Sequence, residues 1–127
     1  MQIALVQQHA TPDKARNVAT GLAAVERAAA DGAEVVVFAE LAFERFHPQR
    51  PAAGDPLALA EPIPGPITEQ FSRQARELGV VVVLNLYERD GGRAFDSSPV
   101  IDADGTLLGV TRMVHITDYP CFHEQGY

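Results

Sequence analysis

Apolar positions fall in short runs set apart by amphipathic stretches, and the spacing names the elements. Ile3–Val6 and Val35–Phe38 are continuous apolar runs; the first reads as a central strand and the second as a buried one. Between them Val18, Leu22, Val25 and Ala29 recur at i, i+4, i+7 and i+11, one face of a helix. Thr11-Pro12-Asp13 marks its start, with Thr as cap, Pro at the first helical position and Asp at the positive end of the dipole, and Gly32 marks its stop. A strand, a helix and a second strand in this order predict a parallel pair joined by a crossover helix. Another helix opens at Gly65-Pro66, buries Ile67, Phe71, Ala75 and Leu78, and stops at Gly79. Residues 80–86 are apolar on both faces until Asn85, which predicts a central strand. Asp90-Gly91-Gly92 and Asp104-Gly105 are hairpin turns. Strands over 94–103 and 106–114 then add an antiparallel meander to a βαβαβ start. Residues 44–64 carry five prolines and little periodicity, which predicts a long surface loop with one helical turn near 57–60. Residues 115–127 read as irregular.

Composition narrows the class. The 127 residues are 46% hydrophobic, enough for one domain with a core. The net charge is -7 with ten scattered Lys and Arg, so neither nucleic acid nor an anionic membrane surface is an expected partner. A single cysteine leaves no internal disulfide framework and fits a reducing compartment. The first residues have no positive segment of the signal-peptide kind, and no apolar stretch approaches the ~20 residues of a membrane span. The expectation is a soluble, cytoplasmic protein.

Candidate chemistry centres on Glu40, two residues past the Val35–Phe38 strand. A rigid strand end suits a general base, although solvated and helix-capping carboxylates also occur at such places. Cys121 is a candidate nucleophile with His115 or His123 as base. Pro120-Cys121-Phe122 offers neither an elbow nor a helix N-terminus to activate a thiol, so a partly buried structural cysteine is expected. His115, Asp118, His123 and Glu124 match no closed zinc spacing. His9 and His47 read as solvated loop histidines. Asp102-Ala103-Asp104-Gly105 begins like a calcium loop, but Met113 stands where that loop needs its last Glu, so it reads as a turn. No metal or other cofactor is expected.

Several segments together resemble the N-terminal part of the nitrilase superfamily of carbon–nitrogen hydrolases, in its amidase and N-carbamoyl-amine hydrolase branches. They are Ile3-Ala4-Leu5-Val6-Gln7, Asn17, the run from Gly32 to Leu41 through Phe38-Ala39-Glu40, the run from Phe95-Asp96-Ser97-Ser98 to Gly105, the run from Gly109 to Ile116 through Arg112-Met113-Val114-His115, and Phe122-His123-Glu124-Gln125-Gly126-Tyr127. They follow the family order over nearly the whole chain. The resemblance implies a Glu-Lys-Cys triad in which cysteine attacks the carbonyl or nitrile carbon, Glu is the general base and Lys stabilises the tetrahedral intermediate. Glu40 matches the base, with Ala39 where the family usually has Pro. Glu124 matches a second Glu that positions the Lys or the substrate, and His115 matches the histidine two residues after the Lys. The Lys position itself holds Met113, and a thioether supplies no positive charge. Arg112 is the adjacent cation, but in a strand it points to the opposite face from residue 113. The family nucleophile lies a few tens of residues beyond the Glu124 region, so Cys121 does not match it.

The resemblance implies an α/β fold: the N-terminal portion of a nitrilase-like α-β-β-α sandwich, a mixed sheet with helices on one face. Residues 1–127 would be a partial domain that lacks the half carrying the nucleophile and leaves a sheet face uncovered. The implied function is hydrolysis of a small amide or N-carbamoyl amine by a cysteine mechanism in a complete, homo-oligomeric protein, with this stretch inactive alone. Two other readings stand beside it: a non-catalytic nitrilase-like ligand-binding or assembly subunit that lost the Lys, and an unrelated small α/β binding domain.

Overall fold

In a computed structural model, residues 1–117 and 119–127 are described. Eight principal elements follow the chain: β1 (Ile3–Val6), α1 (Lys14–Ala30), β2 (Val35–Phe38), α2 (Pro66–Leu78), β3 (Val81–Val83), β4 (Leu86–Asp90), β5 (Arg93–Ile101) and β6 (Leu107–Arg112). They build one six-stranded mixed sheet. β1, β2 and β3 run parallel, and β5 pairs antiparallel with β3, β4 and β6. The fold is α/β, as expected.

Four local expectations need correction. β1, expected to be central, is an edge strand that pairs with β2 alone, and none of its residues is buried. The strand expected over 80–86 is broken: β3 pairs with the end of β5 and β4 with its beginning, so the two lie end to end along β5. The break falls at Leu84-Asn85, where the Asn85 side chain turns to partners outside the ladder. At the start of α1 the cap is Asp13, whose Oδ1 accepts the Arg16 amide at 3.0 Å. Thr11 is occupied elsewhere: its amide and hydroxyl both reach Oδ1 of the buried Asn17 at 2.9 Å. Asn17 in turn donates to the carbonyls of Thr11 and Phe43, which satisfies a group too buried to meet water. On α2, Leu78 is 37% exposed. Gly79 ends the helix in the left-handed conformation, φ 66°, and the reversing chain buries Val80 instead.

Strand register sorts the sheet into two unlike faces. Val36, Phe38, Val82 and Ile101 lie under α1 and α2, with Val18, Val25, Phe71 and Ala75 against them. Phe38, Phe43 and Phe71 form a three-ring cluster with centroids 5.2 to 5.4 Å apart. On the other face, Ile3 and Leu5 pair with Val35 and Val37, which pair with Val81 and Val83. All are apolar and none is buried; Leu5 is 81% exposed. Helices therefore cover one face and leave an apolar one to water.

Two outcomes follow. Gly21 on α1 meets the ring cluster so closely that a Cβ there would lie 2.7 Å from Phe43 and 3.2 Å from Phe38. Helix propensity favours Gly21→Ala by roughly 1 kcal/mol, but overpacking against a locked ring costs about 1–3 kcal/mol. The variant should melt below the wild type; an equal or higher midpoint would show that the cluster yields. The open apolar face should make the 127-residue chain self-associate as its concentration rises, and Leu5→Lys should reduce this in sedimentation velocity.

Candidate active site

The last core residue of β2 is Phe38, after which the chain turns through Ala39, Glu40 and Leu41. Leu41 adopts φ 46°, a left-handed conformation that costs a branched L-residue about 1 kcal/mol or more. Its amide donates to Asn85 Oδ1 at 2.7 Å. The Asn85 amide group donates in turn to Asp96 Oδ1 and, at 3.2 Å, to Ser98 Oγ. One side chain thus joins the turn after β2 to β5. Tyr87 lies opposite Asp96 in the β4–β5 ladder.

These groups open onto a cavity of about 410 Å³ whose walls include Glu40, Asp96, Met113, Glu124, His47 and Tyr87. The 115–127 segment, irregular in sequence, folds back onto the loop after β2: the His123 amide donates to Pro48 O at 2.8 Å. The Tyr127 hydroxyl lies 3.1 Å from the carbonyls of His47 and Arg50. Glu124 starts a short 3-10 turn and accepts a hydrogen bond from the Thr117 hydroxyl at 2.6 Å.

Burial and two carboxylate neighbours dominate the electrostatics. Glu40 is pushed up to about 7, first by desolvation, then by the hydrogen bond and charge of Asp96, then by the charge of Glu124. One side of Glu40 remains open to solvent, so the protein behind it removes only part of its water. His47 is held below its ordinary value by burial and by the Lys14 charge, and it stacks between Tyr87 and Tyr127 with centroids 5.0 and 4.5 Å away. It is a half-buried wall of the cavity rather than a solvated loop residue.

Of the residues singled out in the sequence, Glu40, Met113 and Glu124 share this cavity. His115 is exposed and lies outside its walls; Cys121, expected to be partly buried, is exposed as well and also lies outside them. Asp118, named with the possible metal ligands, lies outside the described residues, and no metal-binding cluster occurs among those described. Met113 follows β6, with its amide donating to Asp96 O at 2.8 Å. Arg112 points to the helix-covered face, where Glu88 grips its guanidinium through two 2.8 Å bonds and Asp90 through one of 2.7 Å, and it lies 4.0 Å over the Phe95 ring. It therefore cannot stand in for a cation at 113. Asp96, Asn85 and Tyr87 were not singled out for chemistry. The one signal was Asn85, a polar residue interrupting an apolar run.

A family model described as carbon-nitrogen hydrolase matches residues 2–126. The chain is 35% identical to an N-carbamoylputrescine amidase of Solanum lycopersicum over 126 residues, covering 98% of this chain and 42% of that protein. It is 34% identical to an omega-amidase of Danio rerio over 118 residues, covering 92% of this chain and 41% of that protein. Among solved structures, a carbon-nitrogen hydrolase from Helicobacter pylori G27 superposes with a TM-score of 0.82 at 25% identity over 98% of this chain and 42% of that one. An amidase from Nesterenkonia sp. gives 0.76 at 21% identity, covering 99% and 46%. The chain thus spans less than half the length of these relatives.

The Glu40 environment predicts a pH signature in stability. Folded, Glu40 holds its proton up to about pH 7; unfolded, it releases it near the ordinary 4.5. Between these values the folded state binds the extra proton, so this group's contribution falls as pH rises through the window. Glu40→Gln should melt above the wild type at pH 8 and level with it at pH 4. Parallel melting profiles across that range would contradict the raised value.

Proposed function

The chain belongs to the carbon-nitrogen hydrolase family, and on that premise we propose that it forms part of an enzyme that hydrolyses a small amide or N-carbamoyl amine. Glu40 is the general base. It takes the proton of a cysteine thiol as sulfur attacks the carbonyl carbon, and it returns a proton to the leaving nitrogen. Glu124 shares the cavity and positions substrate. The thiol comes from outside residues 1–127, and the open apolar sheet face packs against the layer that carries it. In the complete protein we expect a cytoplasmic homo-oligomer acting on a small molecule, with no nucleic-acid or membrane partner.

The observation that carries this reading is Glu40 itself: a carboxyl at a strand end, in a cavity of small-molecule size, with its pKa pushed up to about 7. A carboxyl that is part ionised near neutrality can both accept and return a proton. Relatives named as amidases over nearly the whole chain support the reaction class.

A second reading, a non-catalytic ligand-binding or assembly subunit, is favoured by Met113. It brings no charge to the cavity, and its neighbour Arg112 is engaged on the other face. The two readings part in the full-length protein that carries this chain. The hydrolase reading expects turnover of small amides or N-carbamoyl amines, a fall of roughly 10²–10⁴-fold in Glu40→Gln and an unchanged rate in Cys121→Ala. Met113→Lys should raise kcat, because an ammonium would then face the developing oxyanion. Absence of turnover in both the wild type and Met113→Lys would leave the binding subunit as the function.

A further inference from the structure

Asn85 occupies the gap between β3 and β4 and belongs to neither strand. Its oxygen faces the Leu41 amide at 2.7 Å. An amide N–H can only donate, so the orientation of the carboxamide is settled. Its nitrogen then faces β5, where it donates to Asp96 Oδ1 and, at 3.2 Å, to Ser98 Oγ. A carboxamide supplies an acceptor on one side and two donors on the other; a carboxylate, a hydroxyl or an apolar side chain does not. The bond to the turn falls at a sensitive place. The Leu41 nitrogen belongs to the planar peptide group that begins at the Glu40 Cα, so gripping it fixes the atom from which the carboxyl projects. The carbonyls that follow are held from elsewhere: Gln8 reaches Ala42 O and Asn17 reaches Phe43 O, both at 2.9 Å. Among the described residues, Asn85 is the side chain that joins this turn to β5. Asp96, at the far end of the tether, is itself a wall of the cavity, whereas Asn85 is not.

We infer that Asn85 is a positioning residue for Glu40: through its hydrogen bonds to the Leu41 amide, Asp96 and Ser98 it sets the distance between the carboxyl after β2 and the cavity wall built by β5. It lies off the cavity walls, so it acts through the turn and not on substrate. Leu41 makes the grip necessary. At φ 46° it holds a conformation that branched L-residues avoid, and without a bonded amide the turn relaxes toward an ordinary φ and carries Glu40 with it. Misplacing a reacting group by about 1 Å lowers a rate on the order of 10²-fold. The rest of the cavity, which binds substrate, stays as it is, so the effect falls on kcat. That catalytic effect rests on the proposed role of Glu40 as base; the tether itself does not.

The test uses the full-length protein carrying this chain. It reads hydrogen exchange at the Leu41 amide together with the kinetics of hydrolysis of short aliphatic amides and N-carbamoyl amines. In the wild type the Leu41 amide should exchange at least about tenfold more slowly than a free peptide; exchange at the free rate overturns the tether. Asn85→Ala removes both ends of the tether and should speed that exchange by about tenfold or more. Asn85→Asp, of the same size, keeps an acceptor toward Leu41 and loses the donors to β5. In both variants kcat should fall on the order of 10²-fold, with KM changed by less than about threefold. If Asn85→Ala does not fold, Asn85→Asp decides by the same kinetic criterion. An unchanged kcat beside faster Leu41 exchange, or a rise in KM alone, overturns the positioning role. Exchange as expected in a protein that hydrolyses none of these compounds leaves Asn85 as the tether of the turn and overturns the hydrolase reading. Turnover lost in Glu40→Gln but kept in Asn85→Ala does the reverse.

Discussion

The Leu41 amide, held by Asn85, is the contact on which the placement of the site depends. Strand parity alone would send Glu40 to the same face as Phe38, under the helices. β2 ends at Phe38 and the chain is already turning at Glu40, which frees the carboxyl from strand parity and lets it line the cavity. The left-handed conformation of Leu41 costs about 1 kcal/mol or more. A hydrogen bond from a partly buried amide contributes about the same in the other direction. The Asn85 that holds this amide sits in the break between β3 and β4.

Two cations near the site are engaged by carboxylates outside the cavity. Arg112 is gripped by Glu88 and Asp90 on the covered face, and its guanidinium holds the Glu88 carboxyl below the ordinary range. Lys14 lies between Glu44 and Glu61, at 3.7 and 3.4 Å, beside the loop rather than in the site. Glu40, Asp96 and Glu124 line one cavity with the Met113 thioether and Arg93. Such a cluster is costly in stability, and structures retain costs of this kind where the group has a task.

The fold was legible because it follows from one-sided burial. The apolar runs at Ile3–Val6 and Val35–Phe38, the helical spacing of Val18 and Val25, and the Gly stops are local signals, and each has its counterpart in the structure. Of the candidate site, Glu40, Met113 and Glu124 were reachable through motifs in family order, and all three line one cavity. Asp96 was not, because in a strand it is one polar residue among several. His47 was misread because its burial depends on Tyr87 and Tyr127, which lie 40 and 80 residues away in the chain.

By itself, then, the sequence determined the succession of strands and helices, the family resemblance and the lack of charge at residue 113. These are properties of composition and of periods that span a few residues. The tertiary structure decided which carboxyls share the cavity, which way Arg112 turns, where the strand after α2 breaks and how Glu124 returns to the end of β2. Each of those depends on pairing between residues distant in the chain. Local periodicity carries no information about such pairs; only the closed sheet, with Asn85 reaching across it from Leu41 to Asp96, brings them together.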